Sequence, residues 1–128
     1  MKQEILGYLA KANASWPETL LFSGASEYPI STEFEGGVLL PYKHDTNIEF
    51  VVVKRFVGSD KPLFQVRLQK VVERHEDDTK YVVILERTDC ESDQIYKALL
   101  RMYEPYVNEL FNQPINQNWW SSSCFSSC

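Results

Sequence analysis

The chain is poor in the residues on which most chemistry depends. Its 128 residues hold only two histidines, three cysteines and five glycines. Three cysteines cannot form an even disulfide framework, which favours a reducing, cytoplasmic setting. Cys124 and Cys128 are separated by three residues, loosely half of a zinc site, but a structural site needs four ligands. Cys90, His44 and His75 show no spacing that would complete one, so no metal or other cofactor is expected. Prenylation needs a cysteine four residues from the end, where Phe125 stands.

Positive charge is also in deficit. With 13 basic and 18 acidic residues the formal net charge is −5. That balance disfavours non-specific binding to phosphate backbones, so no nucleic acid is expected as partner. It suits instead a protein partner with a basic surface. No apolar run approaches the roughly 20 residues needed to span a bilayer, so no membrane association is expected. The opening "MKQEILGYLAKANASWPE" lacks the apolar stretch and cleavage site of a secretory signal. Phosphate-binding glycine loops, dinucleotide fingerprints and serine nucleophile elbows are missing. Asp45 and Lys54 follow the order of some metal-dependent nuclease cores, but Val52 and Val53 stand where a second metal-binding carboxylate is needed.

What is present is a hydrophobic content of 44% and an aromatic content of 13%, enough for one core in a chain of this length. Ile5, Leu6, Leu9 and Ala12 are spaced for one face of a short helix over residues 2–13. Ser15 and Glu18 are spaced as a capping box for a further turn. "SGASEYP" (Ser23 to Pro29) reads as loop. Four strands follow: Glu33 to Tyr42 with a bend at Gly36-Gly37, Asn47 to Val57, Leu63 to Arg74, and Lys80 to Arg87. In the second, Ile48, Phe50 and Val52 face one way and Val51 and Val53 the other, the pattern of a central strand covered on both sides. In the third, Phe64, Val66 and Leu68 oppose Gln65, Arg67 and Gln69. Short polar connections favour antiparallel hairpins. A final helix is expected from about Cys90 to Asn112, opened by Thr88 and Glu91 as a capping box and kinked or broken at Pro105. The predicted fold is therefore α+β: a four-stranded antiparallel meander flanked by an N-terminal and a C-terminal helix, α-β-β-β-β-α, with the helices on one face. Residues 1–113 form a single domain and 114–128 a tail.

The candidate sites are few. "HEDD" (His75 to Asp78) has metal-ligand or acid/base residues, but between two strands it reads as a solvated hairpin tip. His44-Asp45 reads likewise. Cys90 near a helix start would gain nucleophilicity from the dipole and lose it to Asp89 and Glu91. Lys54, Arg55, Lys61, Arg67, Lys70 and Arg74 concentrate in the strands, where a mixed solvated sheet face is expected.

The C-terminal helix is more informative. Ile95, Ala98, Leu99, Met102, Tyr106 and Leu110 make one apolar stripe, and Tyr96, Leu100, Tyr103, Val107 and Phe111 a second. One stripe suffices for a surface helix. The second implies cover by the tail, through Trp119 and Trp120, or by another chain. The expected function is that of a small acidic protein-binding module acting by occlusion, of inhibitor, immunity or adaptor type. Its candidate partner-binding residues are Tyr96, Leu100, Tyr103, Val107, Phe111, Trp119 and Trp120. The alternatives are a small enzyme with dispersed catalytic residues and a homodimeric structural subunit.

Overall fold

The computed structural model describes residues 1–56, 61–76 and 78–112, with side chains described as far as Tyr106. The chain opens with α1 (Lys2–Ala12), which buries Ile5 and Leu9. Asn13 ends it, its N–H bonding the Leu9 carbonyl at 2.9 Å. The Asn13 Oδ1 then accepts the Ser15 N–H at 2.9 Å. That bond explains why the capping box expected at Ser15 and Glu18 is not formed: the amide that Glu18 would reach is already taken. Pro17, with its preset φ, sits in the first turn of the short helix α2 (Trp16–Thr19).

Five antiparallel strands follow, β1 (Ser26–Tyr28), β2 (Phe34–Tyr42), β3 (Asp45–Arg55), β4 (Leu63–Arg74) and β5 (Thr79–Glu91), in the spatial order of the chain. The class is α+β as expected, but the sheet has one more strand than the sequence reading allows. The extra one, β1, lies inside the segment read as loop. Three residues are too few to show a period of two, and Gly24 and Pro29 flank them. β1 exists through its pairing with β2, Ser26 opposite Leu39 and Tyr28 opposite Gly37.

The Gly36-Gly37 bend is real. Gly36 has φ +129° and sits at a register shift between β2 and β3. Gly37 is held so close to β3 that a Cβ would lie 2.1 Å from the Val52 carbonyl oxygen.

β5 runs on to Glu91, past the expected start of the helix. Cys90 is drawn into the ladder opposite Phe64, and Asp89 takes φ 56° at a bulge. A 3₁₀ turn (Ser92–Gln94) leads into α3 (Ile95–Asn112). The capping box therefore sits three residues later than Thr88 and Glu91 would place it: Glu91 is the cap and Gln94 its return partner. α3 continues through Pro105.

The described helices pack on one face of the sheet. Ile5, Leu9, Trp16, Leu20 and Phe22 meet Val38, Leu40, Phe50, Val52, Phe64, Val66 and Leu68, closed by Ile95, Leu99 and Met102 of α3. This is a two-layer domain with one core. β3 is central and buried on both sides, with Phe50 and Val51 each 0% exposed. No helix among the described residues is long and apolar enough to cross a membrane.

Candidate functional site

The second stripe of α3 lies against the protein over its described length. Tyr103 is 8% exposed, its ring 6.0 Å from that of Tyr42 and 6.4 Å from that of Phe50. Tyr96 is half-buried, and its hydroxyl accepts a hydrogen bond from Asn13 Nδ2 at 2.9 Å. Leu100 is half-buried and packs on the core. The end of α1 and the β2–β3 side of the sheet supply cover that the sequence could not assign. The side chains of Val107 and Phe111, and residues Trp119 and Trp120 altogether, lie outside the described residues.

The candidate chemical groups are dispersed. Cys90 is a core residue, 0% exposed. Burial pushes its thiol pKa up, and Asp93 and Glu91 add to the rise against the lowering by Arg87. That is the environment of an inert thiol. Asp45 Oδ1 accepts the Asn47 N–H at 3.0 Å, the turn role expected of it, and His44 stands edge-on to the Tyr42 ring. His75 pairs with Glu73 at 2.7 Å, and its N–H bonds the Asp78 carbonyl across the hairpin tip. No group of three or more metal-ligating side chains occurs among the described residues. Tyr42 is wholly buried and its hydroxyl has no hydrogen-bond partner among them. Tyr106 nearby has its pKa pushed up to about 12 by burial, with Asp45 and Tyr42 adding to it.

The helix-free face of the sheet departs from expectation. Gln65, Arg67 and Gln69 read as a solvated row, yet Arg67 is 8% and Gln69 3% exposed. Glu49, their neighbour on β3, is buried with them. The side chains lie along the sheet and bond one another. Arg67 Nε donates to Gln69 Oε1 at 2.9 Å, and Gln69 Nε2 donates to Glu49 Oε1 at 2.9 Å. Arg74 approaches Glu49 Oε2 at 3.7 Å. Arg67 Nη2 reaches the Tyr28 hydroxyl at 3.2 Å, three strands away, and the guanidinium carbon lies 5.2 Å from the centre of the Tyr81 ring. This polar layer lies over Val51 and Val53, which are buried outside the core cluster that the described helices close.

Beside it the sheet ends in an apolar strip. Tyr81, Val82 and Val83 on β5 and Val72 on β4 are all exposed, from 41% for Tyr81 to 59% for Val72. Val72 is the extra residue of a bulge, where Val71 pairs with Tyr81 and Glu73 with Lys80. Tyr81 and Val83 share the helix-free face with Val71 and Gln69, and Val82 faces the other way. Among the described residues no strand pairs with the outer edge of β5. From Thr79 to Val83 the β5 strand has no inserted residue of its own, although β4 bulges beside it at Val72; further register shifts follow along the strand. A groove of about 650 Å³, lined by Leu85, Arg87, Ala98, Met102 and Pro105, lies between β5 and α3. The sequence carried a signal for this site in "KYVVILER", whose consecutive apolar residues exceed what one buried face needs.

The fold and surface define a two-layer α+β domain in which, among the described residues, the outer edge of β5 is unpaired and carries an apolar strip. Comparison with protein-family models, curated proteins and solved structures finds no match for this chain.

Proposed function

We propose that this protein is a binding module for another protein, and that its contact surface is the outer edge of β5 together with Tyr81, Val82, Val83 and Val72. The observation that carries this is the coincidence of an exposed apolar cluster with a strand edge that no other strand pairs among the described residues. Such an edge presents a row of unsatisfied N–H and C=O groups and templates pairing with a further strand. Edges that must stay solitary are kept short or charged, as the three-residue β1 at the opposite side is short. β5 is long, and the one charge of Thr79–Val83, Lys80, is paired with Glu73 of β4 at 3.5 Å; the segment offers backbone pairing for affinity and alternate side chains for selectivity. The net charge of −5 supports approach to a basic partner surface. Attachment of this kind acts by occupying a partner's surface, the mode shared by inhibitor, immunity and adaptor proteins.

The test places charge on the strip. Val82→Lys with Val83→Lys adds two cations at exposed positions and is expected to leave the far-UV spectrum and melting temperature near those of the wild type. Proteins recovered from the native host by the wild type are expected to be lost by the variant. Retention of the same proteins by a folded variant contradicts the assignment. A wild type that runs as a dimer, and a variant that runs as a monomer, identifies the partner as a second copy.

A further inference from the structure

We propose that Arg67 is the anchor of an oxyanion-binding site on the helix-free face, and that it takes a carboxylate side chain from the partner chain. The proposal rests on the protein-binding reading for the source of the carboxylate, though not for the site itself.

Arg67 is a cation buried in neutral company. It is 8% exposed, and its contacts are the Gln69 amide oxygen, the Tyr28 hydroxyl and the Tyr81 ring. No carboxylate of the described residues lies within 4.0 Å of it. Glu49, the buried acid of the network, is engaged by Gln69 and Arg74 instead. Glu86 stands opposite Arg67 in register and on the same face, but it is exposed and makes no ion pair with Arg67. A buried charge is ordinarily paired, because desolvation without a counter-charge is costly.

The unused donors define the ligand. A guanidinium has a planar fork of five N–H groups. Here Nε and one Nη2 hydrogen are engaged, so the Nη1 pair and the second Nη2 hydrogen lack a protein acceptor among the described residues. Donors on adjacent nitrogens of one plane match the two oxygens of a carboxylate. Tyr81 stabilises the cation through its ring face and leaves the N–H edge available. Tyr81 also belongs to the exposed strip, so a carboxylate at Arg67 and an apolar residue beside Val83 can come from one segment of a partner.

The experiment follows the Arg67 Nε–H and Tyr81 ring signals by NMR. Three probes are added at matched ionic strength: chloride, acetate, and a capped hexapeptide of glutamate. Saturable shifts with acetate and tighter ones with the peptide are expected, and none that saturate with chloride. Arg67→Met is expected to weaken the peptide response by about tenfold or more, the scale of one charge-assisted pair. Should Arg67→Met not fold, Arg67→Lys retains the charge without the planar fork and is expected to lose the preference for acetate over chloride. Equal responses to chloride and acetate, or a peptide response unchanged in the folded variant, overturn the site. Saturation by acetate with no gain for the peptide overturns the partner-chain source. Loss of host proteins by the Val82→Lys/Val83→Lys variant alongside a null titration leaves the strip standing and removes the oxyanion site alone.

Discussion

Gly37→Ala should be among the most damaging single-methyl additions available to this protein. The usual effect of Gly→Ala within a strand or helix is stabilising, since alanine has less chain entropy to lose. Here the geometry reverses the sign. The new Cβ would lie 2.1 Å from the Val52 carbonyl oxygen and 2.8 Å from the Cα and Cγ1 of Val53. Two of those three atoms are backbone, so no side-chain rotation relieves the contact. β2 and β3 would have to separate by roughly 1 Å to restore ordinary van der Waals distances. Overpacking costs about 1–3 kcal/mol. Weakening neighbouring ladder bonds adds about 0.5–1.5 kcal/mol for each one lost. A loss of about 3 kcal/mol or more is expected, a large share of the total stability of a domain this size. Gly7→Ala is the control: it lies within α1 with nothing within 4 Å of the added methyl, and should gain roughly 0.5–1 kcal/mol. Urea denaturation followed by far-UV circular dichroism measures both. A Gly37→Ala variant within about 1 kcal/mol of wild type, at unchanged slope, refutes the close approach of β2 and β3.

Three further outcomes follow from the burial pattern. Leu99→Ala, at 0% exposure, should cost about 2–5 kcal/mol in the same assay, and half-buried Leu100→Ala distinctly less; equal costs would mean that α3 is rotated from its observed seat. Tyr106, whose pKa rises from 10.0 to about 12, is a proton held more tightly by the folded state. Its contribution is complete below pH 10 and lost as pH climbs towards 12, so Tyr106→Phe should flatten the alkaline limb of a melting-temperature profile; an unchanged limb contradicts the assignment. In a Cys124→Ser/Cys128→Ser background, Cys90 should resist a thiol reagent in the native protein and react fully in denaturant, and rapid native reaction would contradict its burial.

The parts of this fold that were legible in the sequence are those with a strong local period. Ile5 and Leu9 mark α1, and the alternation of Phe64, Val66 and Leu68 marks the core face of β4, because burial on one side writes a repeat into the chain. β1 was illegible because its existence depends on β2, not on its own three residues. The start of α3 was misread because Thr88, Asp89 and Glu91 have helix-capping chemistry, while the pairing of Cys90 with Phe64 keeps that segment in the sheet. The polar row of β4 was the larger miss. Arg67 and Gln69 look like solvent-facing residues, and the bonds that draw them down with Glu49, Tyr28 and Tyr81 join different strands and leave no local period. The two stripes of α3 show in the sequence that both sides need cover, but no local pattern reveals that Tyr42, Phe50 and Asn13 supply it along the described length, where the expectation was the tryptophan tail or another chain.

The central claim is that partners engage the β5 edge and its apolar strip. A photo-crosslinking scan tests it most directly, with benzoylphenylalanine placed in turn at Tyr81, Val83, Tyr96 and Leu100 and irradiated in the native host. Adducts with one partner from positions 81 and 83, and none from 96 and 100, are the predicted result. Adducts from 96 and 100 with none from 81 and 83 would place the contact on α3 and contradict the account.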